Sequence, residues 1–156
     1  MKTAFLLCEV LAVLGMVSVT ALSSAGMQCE IMTINASNDG TGIDPKLSPY
    51  ATIFQSSPFS KFNSFALVAR QAFQVELKTP KSLELPDKIA GSLQMNSFAG
   101  DKFDLTLTLA RAEGKPIRIN GIASPNSPIL AAGMKSPTGI WVFGVMCSAP
   151  PNGITY

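Results

Sequence analysis

In Phe103-Asp104-Leu105-Thr106-Leu107-Thr108-Leu109-Ala110 apolar and polar side chains alternate from Phe103 to Leu109. In an extended backbone Phe103, Leu105, Leu107 and Leu109 share one face, while Asp104, Thr106 and Thr108 share the other. A helix would scatter the leucines around its circumference. The run is therefore read as a strand, covered on one side and wetted on the other. Such a strand has to be paired along an edge and covered over its apolar face, and the flanking segments suit both tasks.

Toward the carboxyl end, Glu113-Gly114-Lys115 reads as a hairpin turn into Pro116-Ile117-Arg118-Ile119-Asn120. Ser124-Pro125-Asn126-Ser127-Pro128 is a surface loop before Ile129-Leu130-Ala131-Ala132-Gly133. Ser136-Pro137-Thr138-Gly139 turns the chain into Ile140-Trp141-Val142-Phe143-Gly144-Val145-Met146-Cys147. That last run is apolar on both faces and fits a central strand covered twice, although a buried helix shares its composition.

Toward the amino end, Asn96 to Lys102, with Gly100-Asp101, is a turn, and Ile89, Gly91, Leu93 and Met95 alternate before it. Ser82-Leu83-Glu84-Leu85 is a short strand stopped by Pro86-Asp87. Phe62 to Val68 is aromatic and apolar, and Phe73, Val75 and Leu77 alternate with Gln74 and Glu76. Cys29 to Asn35 is the first strand, and Asp39-Gly40 a turn signal after it. Asp44 can cap free amides and Pro45 suits a first helical position, so a helix is predicted there. Its stripe is Ile43, Leu47, Tyr50 and Phe54, and Ser56-Ser57-Pro58 ends it. At about three turns it has to lie against the sheet. The expectation is a mainly β fold: a β-sandwich of about seven to nine short strands with a lid helix over 44–54. This domain occupies 26–148, with a flexible tail over 149–156.

Before the domain, Ala4 to Leu22 is apolar apart from Glu9 and is followed by Ser23, Ser24, Ala25 and Gly26. Residues 1–25 read as a secretory signal peptide with its apolar core near Val10 to Leu22. Glu9 is the blemish, since a carboxylate at the bilayer centre costs ~2.5–3.5 kcal/mol on insertion scales. Two alternatives keep Glu9 in view. One is a pilin-like leader cut before Phe5, its glutamate neutralising the amino terminus of a neighbouring filament subunit. The other is an uncleaved membrane helix over Ala4 to Leu22, near the ~20 residues that a bilayer needs.

Cys8 falls in the signal, which leaves Cys29 and Cys147 near the two ends of the domain. An even count in an oxidising compartment favours a disulfide, with two buried free thiols as the alternative. Met27-Gln28-Cys29 lacks the small residues that a lipoprotein would place before its cysteine. Twelve basic and ten acidic residues (Lys+Arg 12, Asp+Glu 10) are interspersed, with no basic stripe for phosphate, so nucleic acid is not expected as a partner.

The chain has no histidine. This removes Ser-His-Asp and Cys-His catalysis, His-ligated zinc and the usual proton shuttle at neutral pH. No lysine follows a serine by three places, and no glycine loop precedes a helix in a phosphate-binding pattern. A carboxylate pair could hydrolyse glycosides. Glu84, Asp87, Asp101 and Asp104 all fall at turns or on the wet side of strands, however, and read as solvated charge.

The nearest approach to a metal site is Asn35, Ser37 and Asp39, at the first, third and fifth places of a calcium loop, with Gly40 sixth and Asp44 close by. The twelfth place should hold an acid and holds Lys46. A tight turn feeding the capped helix explains the same residues. Asn35-Ala36-Ser37 is also a glycosylation sequon, relevant only in a eukaryotic secretory pathway. Trp141 and the phenylalanines are read as core in preference to a ligand pocket, and the irregularly spaced methionines as gap fillers.

The order Asn35-Ala36-Ser37-Asn38-Asp39-Gly40-Thr41-Gly42-Ile43-Asp44-Pro45-Lys46-Leu47 resembles the opening of a loosely defined group of small exported bacterial envelope proteins. The resemblance continues through Pro58-Phe59-Ser60, Phe65-Ala66-Leu67, Ser82-Leu83-Glu84-Leu85-Pro86 and Gly139-Ile140-Trp141-Val142-Phe143-Gly144-Val145. It implies a signal peptide followed by one β-rich domain of bacterial origin, and it supplies no catalytic residue. Cys29 and Cys147 depart from that pattern. The expected function is therefore an exported, non-enzymatic β-domain without a cofactor. It would act in the periplasm, cell envelope or outside the cell through contacts with a protein partner. The alternatives are a pilin-like or inner-membrane-anchored filament subunit, with membrane contact only if the amino-terminal helix is retained, and a calcium-dependent adhesion module.

Overall fold

Nine strands form two sheets in the computed structural model, which describes residues 26–111 and 113–149. The expected signal over 1–25 and all but the first residue of the expected tail lie outside the described residues. In chain order the strands are β1 (Met27–Ser37), β2 (Gly42–Ile43), β3 (Ser64–Val75), β4 (Lys81–Leu85), β5 (Ile89–Ala99), β6 (Lys102–Leu109), β7 (Ile117–Ala123), β8 (Ile129–Lys135) and β9 (Gly139–Ser148). One sheet has the order β2-β3-β1-β9-β8 and the other β4-β5-β6-β7. The predicted β-sandwich is present, with all pairings antiparallel except the two-residue β2 against β3.

β6 takes the place that its alternation demands. Phe103, Leu105, Leu107 and Leu109 are buried, and Leu93 and Met95 of β5 pack beside them. Facing them from the other sheet are Cys29 and Ile31 of β1 and Trp141, Phe143 and Val145 of β9. On the outer face of the smaller sheet short polar groups form a row. Asn96 Nδ2 donates to Thr106 Oγ1 at 3.0 Å, and the Thr106 hydroxyl donates to Asn120 Oδ1 at 2.9 Å. These bonds satisfy Thr106, which is buried although polar.

β9 is covered twice, as its composition predicted. Its even-numbered face, with Val142, joins Met32, Ile34 and Ala36 of β1 and Phe65 of β3 in a second apolar layer. The cover over that layer is the predicted lid, with one correction. It is a 3-10 helix over Pro45–Tyr50, a single α-turn (α1, Ala51–Phe54) and a further 3-10 turn over Phe59–Lys61, not a regular three-turn α-helix. Pro49 inside the first segment has no N–H to donate, so an α-helical ladder cannot run through it. The apolar stripe survives the change: Leu47 and Phe54 are buried, and Phe54 stacks on Phe65 with ring centroids 4.5 Å apart. The predicted cap is also in place, with Lys46 N donating to Asp44 Oδ1 at 2.9 Å.

The aromatic, apolar stretch from Phe62 and the alternation around Phe73 and Val75 belong to one strand, β3, running from Ser64 to Val75. Its pairing with β1 shifts between Thr33 and Ile34, which oppose Ala69 and Leu67 and leave Val68 as the extra residue of a bulge. The bulge moves the odd-numbered side chains to the opposite face. Phe65 and Leu67 lie under the lid, while Phe73 and Val75 enter the core between the sheets. A second bulge at Asn96 works the same way in β5, between Met95 and Ser97.

Cys29 and Cys147 stand opposite one another in the β1–β9 pairing, and they are bonded, closing a sequence separation of 118. The disulfide predicted from parity thus joins neighbouring strands of one sheet, with both cysteines buried.

Candidate functional site

Pro86-Asp87-Lys88 follows β4 as a short 3-10 turn before β5. Asp87 (φ 59°) and Lys88 (φ 57°) are consecutive residues in the left-handed region, which side chains other than glycine's disfavour. Aspartate tolerates this conformation better than most residues, and lysine does not. Each such residue stores on the order of 1 kcal/mol or more, so surrounding contacts have to hold the turn in place. One of them is visible. Trp141 Nε1–H, from β9 in the opposite sheet, donates to Asp87 Oδ2 at 3.0 Å. This bond clasps the two sheets together at one end of the sandwich.

Beside the clasp lies an open cleft of about 440 Å³. Its walls come from three separate places: the Asp87–Ala90 turn, the β6–β7 connection at Arg111 and Glu113, and the end of β8 at Gly133–Lys135. Ala110 N donates to Ala90 O at 2.8 Å and ties the first wall to the second. Gly133 (φ 129°) is the extra residue where the β8–β9 pairing shifts between Ala132 and Met134. A β-branched or bulky residue would be strained there, whereas glycine is not. The polar side chains of the cleft are Lys88, Arg111, Lys135, Asp87 and Glu113, and Ile89 and Met134 are its apolar part.

The calcium-loop residues are put to other uses. The Asn35 carboxamide donates to Thr138 Oγ1 at 2.7 Å and accepts from the Ser136 hydroxyl, pinning the β8–β9 turn to β1. Ser37 is buried at the end of β1, Asp39 is exposed, and Asp44 caps the lid. Among the described residues no group of three or more His, Cys, Asp or Glu is arranged to hold a metal ion. Of the four carboxylates weighed for glycoside chemistry, Glu84 and Asp101 are exposed, and Asp104 accepts from Asn96 Nδ2 at 3.3 Å. Asp87 alone lies in the cleft. It is exposed and in a turn, as its sequence reading has it, and its bond to Trp141 goes beyond that reading because the partner is 54 positions away in sequence. The local trace of that bond was the sequence Pro-Asp after a strand, which marks turn chemistry without naming a partner.

Trp141 is core, as predicted, but 5% exposed and polar at one corner. A further groove beside the lid, about 380 Å³, is lined partly by Phe54, Phe62 and Phe65. Those rings are committed to one another, with Phe62 edge-on to Phe65 at 6.4 Å, so the groove belongs to the packing of the lid. The chain matches no protein-family model, no curated protein and no solved structure. Among the described residues no helix is long and apolar enough to cross a membrane.

Proposed function

We propose that the chain is an exported, non-enzymatic β-sandwich domain that works in the bacterial cell envelope or outside the cell by holding a partner protein at the cleft beside Asp87 and Trp141. The observation that carries this reading is the cleft itself. Side chains from a turn, a strand connection and a strand end converge there, over a turn kept in a strained conformation by a bond to the opposite sheet. Strain of this kind persists where the surroundings over-determine it, and it concentrates at working sites. A disulfide between buried cysteines is consistent with an oxidising compartment and so with export. The non-enzymatic part rests on the residues available, since a chain without histidine has few routes to general acid–base work near neutral pH. The cleft sets an apolar wall within charged side chains of both signs, which suits an apolar centre with a polar rim.

A photo-crosslinking residue at Ala90, in the cleft, is compared with one at Ile122 of β7, which is 66% exposed and does not line the cleft. In the producing cells the Ala90 position is expected to give a discrete adduct with another protein, and the Ile122 position none. Equal labelling from both, or none from Ala90, refutes the assignment of the cleft. Mass spectrometry of the native amino terminus tests export. A start near Gly26 supports a free exported domain, a start at Phe5 a pilin-like subunit, and a retained Met1 an anchored one.

A further inference from the structure

We infer that the segment entering this cleft is an acidic, extended stretch of the partner's chain, held by Lys88, Arg111 and Lys135. The inference rests on the cleft being a protein contact and adds the chemistry of its occupant. The three cations arrive from the turn before β5, the β6–β7 connection and the last residue of β8, so their meeting is a product of the fold, not of a basic run in the sequence. None has an ion-pair or side-chain hydrogen-bond partner among the described residues, where the ion pair present joins Arg70 and Glu30 elsewhere on the larger sheet. Two acids lie nearby, Glu113 and Asp87, and Asp87 keeps its charge while accepting the Trp141 indole, so three unpaired cations face two carboxylates and one positive charge is left in excess. Carboxylates supplied from outside complete this set.

Two features select a polypeptide over a small anion. The cleft is open, with Ile89, Ala90 and Met134 as an apolar wall that a lone phosphate would leave uncovered. It also borders β8, the last strand of its sheet, so among the described residues one edge of β8 has no strand beside it. An extended segment can add backbone hydrogen bonds to such an edge while its side chains meet the cations.

Trp141 is the one tryptophan of the chain and touches the cleft through Asp87, so its emission reports occupancy. The disulfide-intact protein is titrated with hexaglutamate, with free glutamate, with inorganic phosphate and with hexalysine. The expected result is a saturable change in Trp141 emission with hexaglutamate alone. A Lys88→Gln, Arg111→Gln, Lys135→Gln triple variant, of unchanged melting temperature, should bind about tenfold more weakly, each exposed charge contributing a few-fold. Raising the salt from 0.05 to 0.5 M should weaken binding further in the native protein than in the variant. Equal responses to glutamate or phosphate would make this a small-anion site and overturn the inference. So would a response to hexalysine, no response to hexaglutamate, or a triple variant that binds as well as the native chain. A cleft-specific adduct from Ala90 together with any of these results leaves the protein-contact reading standing and removes only its acidic partner.

Discussion

Replacing Cys29 and Cys147 together by alanine should lower the melting temperature by about 15–20 °C, which is large for a change that removes two small side chains. The magnitude follows from the position of the bond. It closes a separation of 118 residues, nearly the whole domain. In the chain-entropy model a loop of that length stabilises the folded state by about 5 kcal/mol, by restricting the unfolded chain. For about 120 ordered residues the unfolding entropy is near 0.25 kcal/mol/K, so 5 kcal/mol corresponds to the shift quoted. Little of the effect should come from native contacts. β1 and β9 remain paired over ten positions from Gln28–Ser148 to Ser37–Gly139 without the bond. The assay is thermal unfolding followed by circular dichroism, comparing the native oxidised protein, the native protein under reductant and the double variant. Reduced native protein and double variant should melt together. A loss of less than about 5 °C would show that the unfolded chain is not appreciably restricted by this bond, and the entropic account would fail. Equal stability at low temperature with a separate early transition would instead place the two cysteines in a part of the sheet that opens on its own.

Three further perturbations probe other parts of the structure. Gly139→Ala should destabilise by about 3 kcal/mol or more in urea unfolding, because its Cβ would lie 2.0 Å from the backbone oxygen of Ala36, which cannot step aside as a side chain could; a loss under 1 kcal/mol would mean that the β1–β9 approach is looser than the structure has it. Deleting Val68 should leave the fold intact, since it removes the extra residue of a bulge and keeps every other β1–β3 pair. Deleting Thr106 from the unbulged β6 should instead turn Leu107 and Leu109 toward water and remove about 1.5–3 kcal/mol for each; soluble, cooperatively folding protein from the second deletion and not the first would reverse that reasoning. Asp87→Ala should cost about 1–3 kcal/mol and change Trp141 emission, because the indole N–H loses its acceptor, while Asp87→Asn, which keeps an acceptor oxygen, should cost less than half of that; equal effects of the two would exclude the bond as the holding contact.

The Arg70–Glu30 pair invites a stronger claim than it supports. Glu30 Oε1 is 3.1 Å from Arg70 Nε but has no well-aligned hydrogen bond, and Arg70 is 43% exposed. Contact by charge alone at such a site contributes under about 1 kcal/mol. Arg70 also donates to Met32 Sδ at 3.3 Å, so its role is as much to cover the second apolar layer as to pair a charge.

The residues by themselves determined whatever depends on the next few positions of backbone. The period of two in Phe103–Leu109 made β6 a strand with one buried face, and the doubly apolar Ile140–Cys147 made β9 a central one. Asp44-Pro45 marked the start of the lid, and parity marked the cysteine pair. These signals are local because they come from side-chain alternation and from the steric limits of single residues. Register and convergence were decided only by the tertiary structure. That Val68 is an extra residue, so that Phe65 and Phe73 face opposite layers, depends on how β3 lies against β1. That Asp87 meets Trp141, and that Lys88, Arg111 and Lys135 share one cleft, depends on how two sheets stack. Such contacts join segments tens of residues apart, and they are set by which packing buries the most apolar surface without leaving a polar group unpaired.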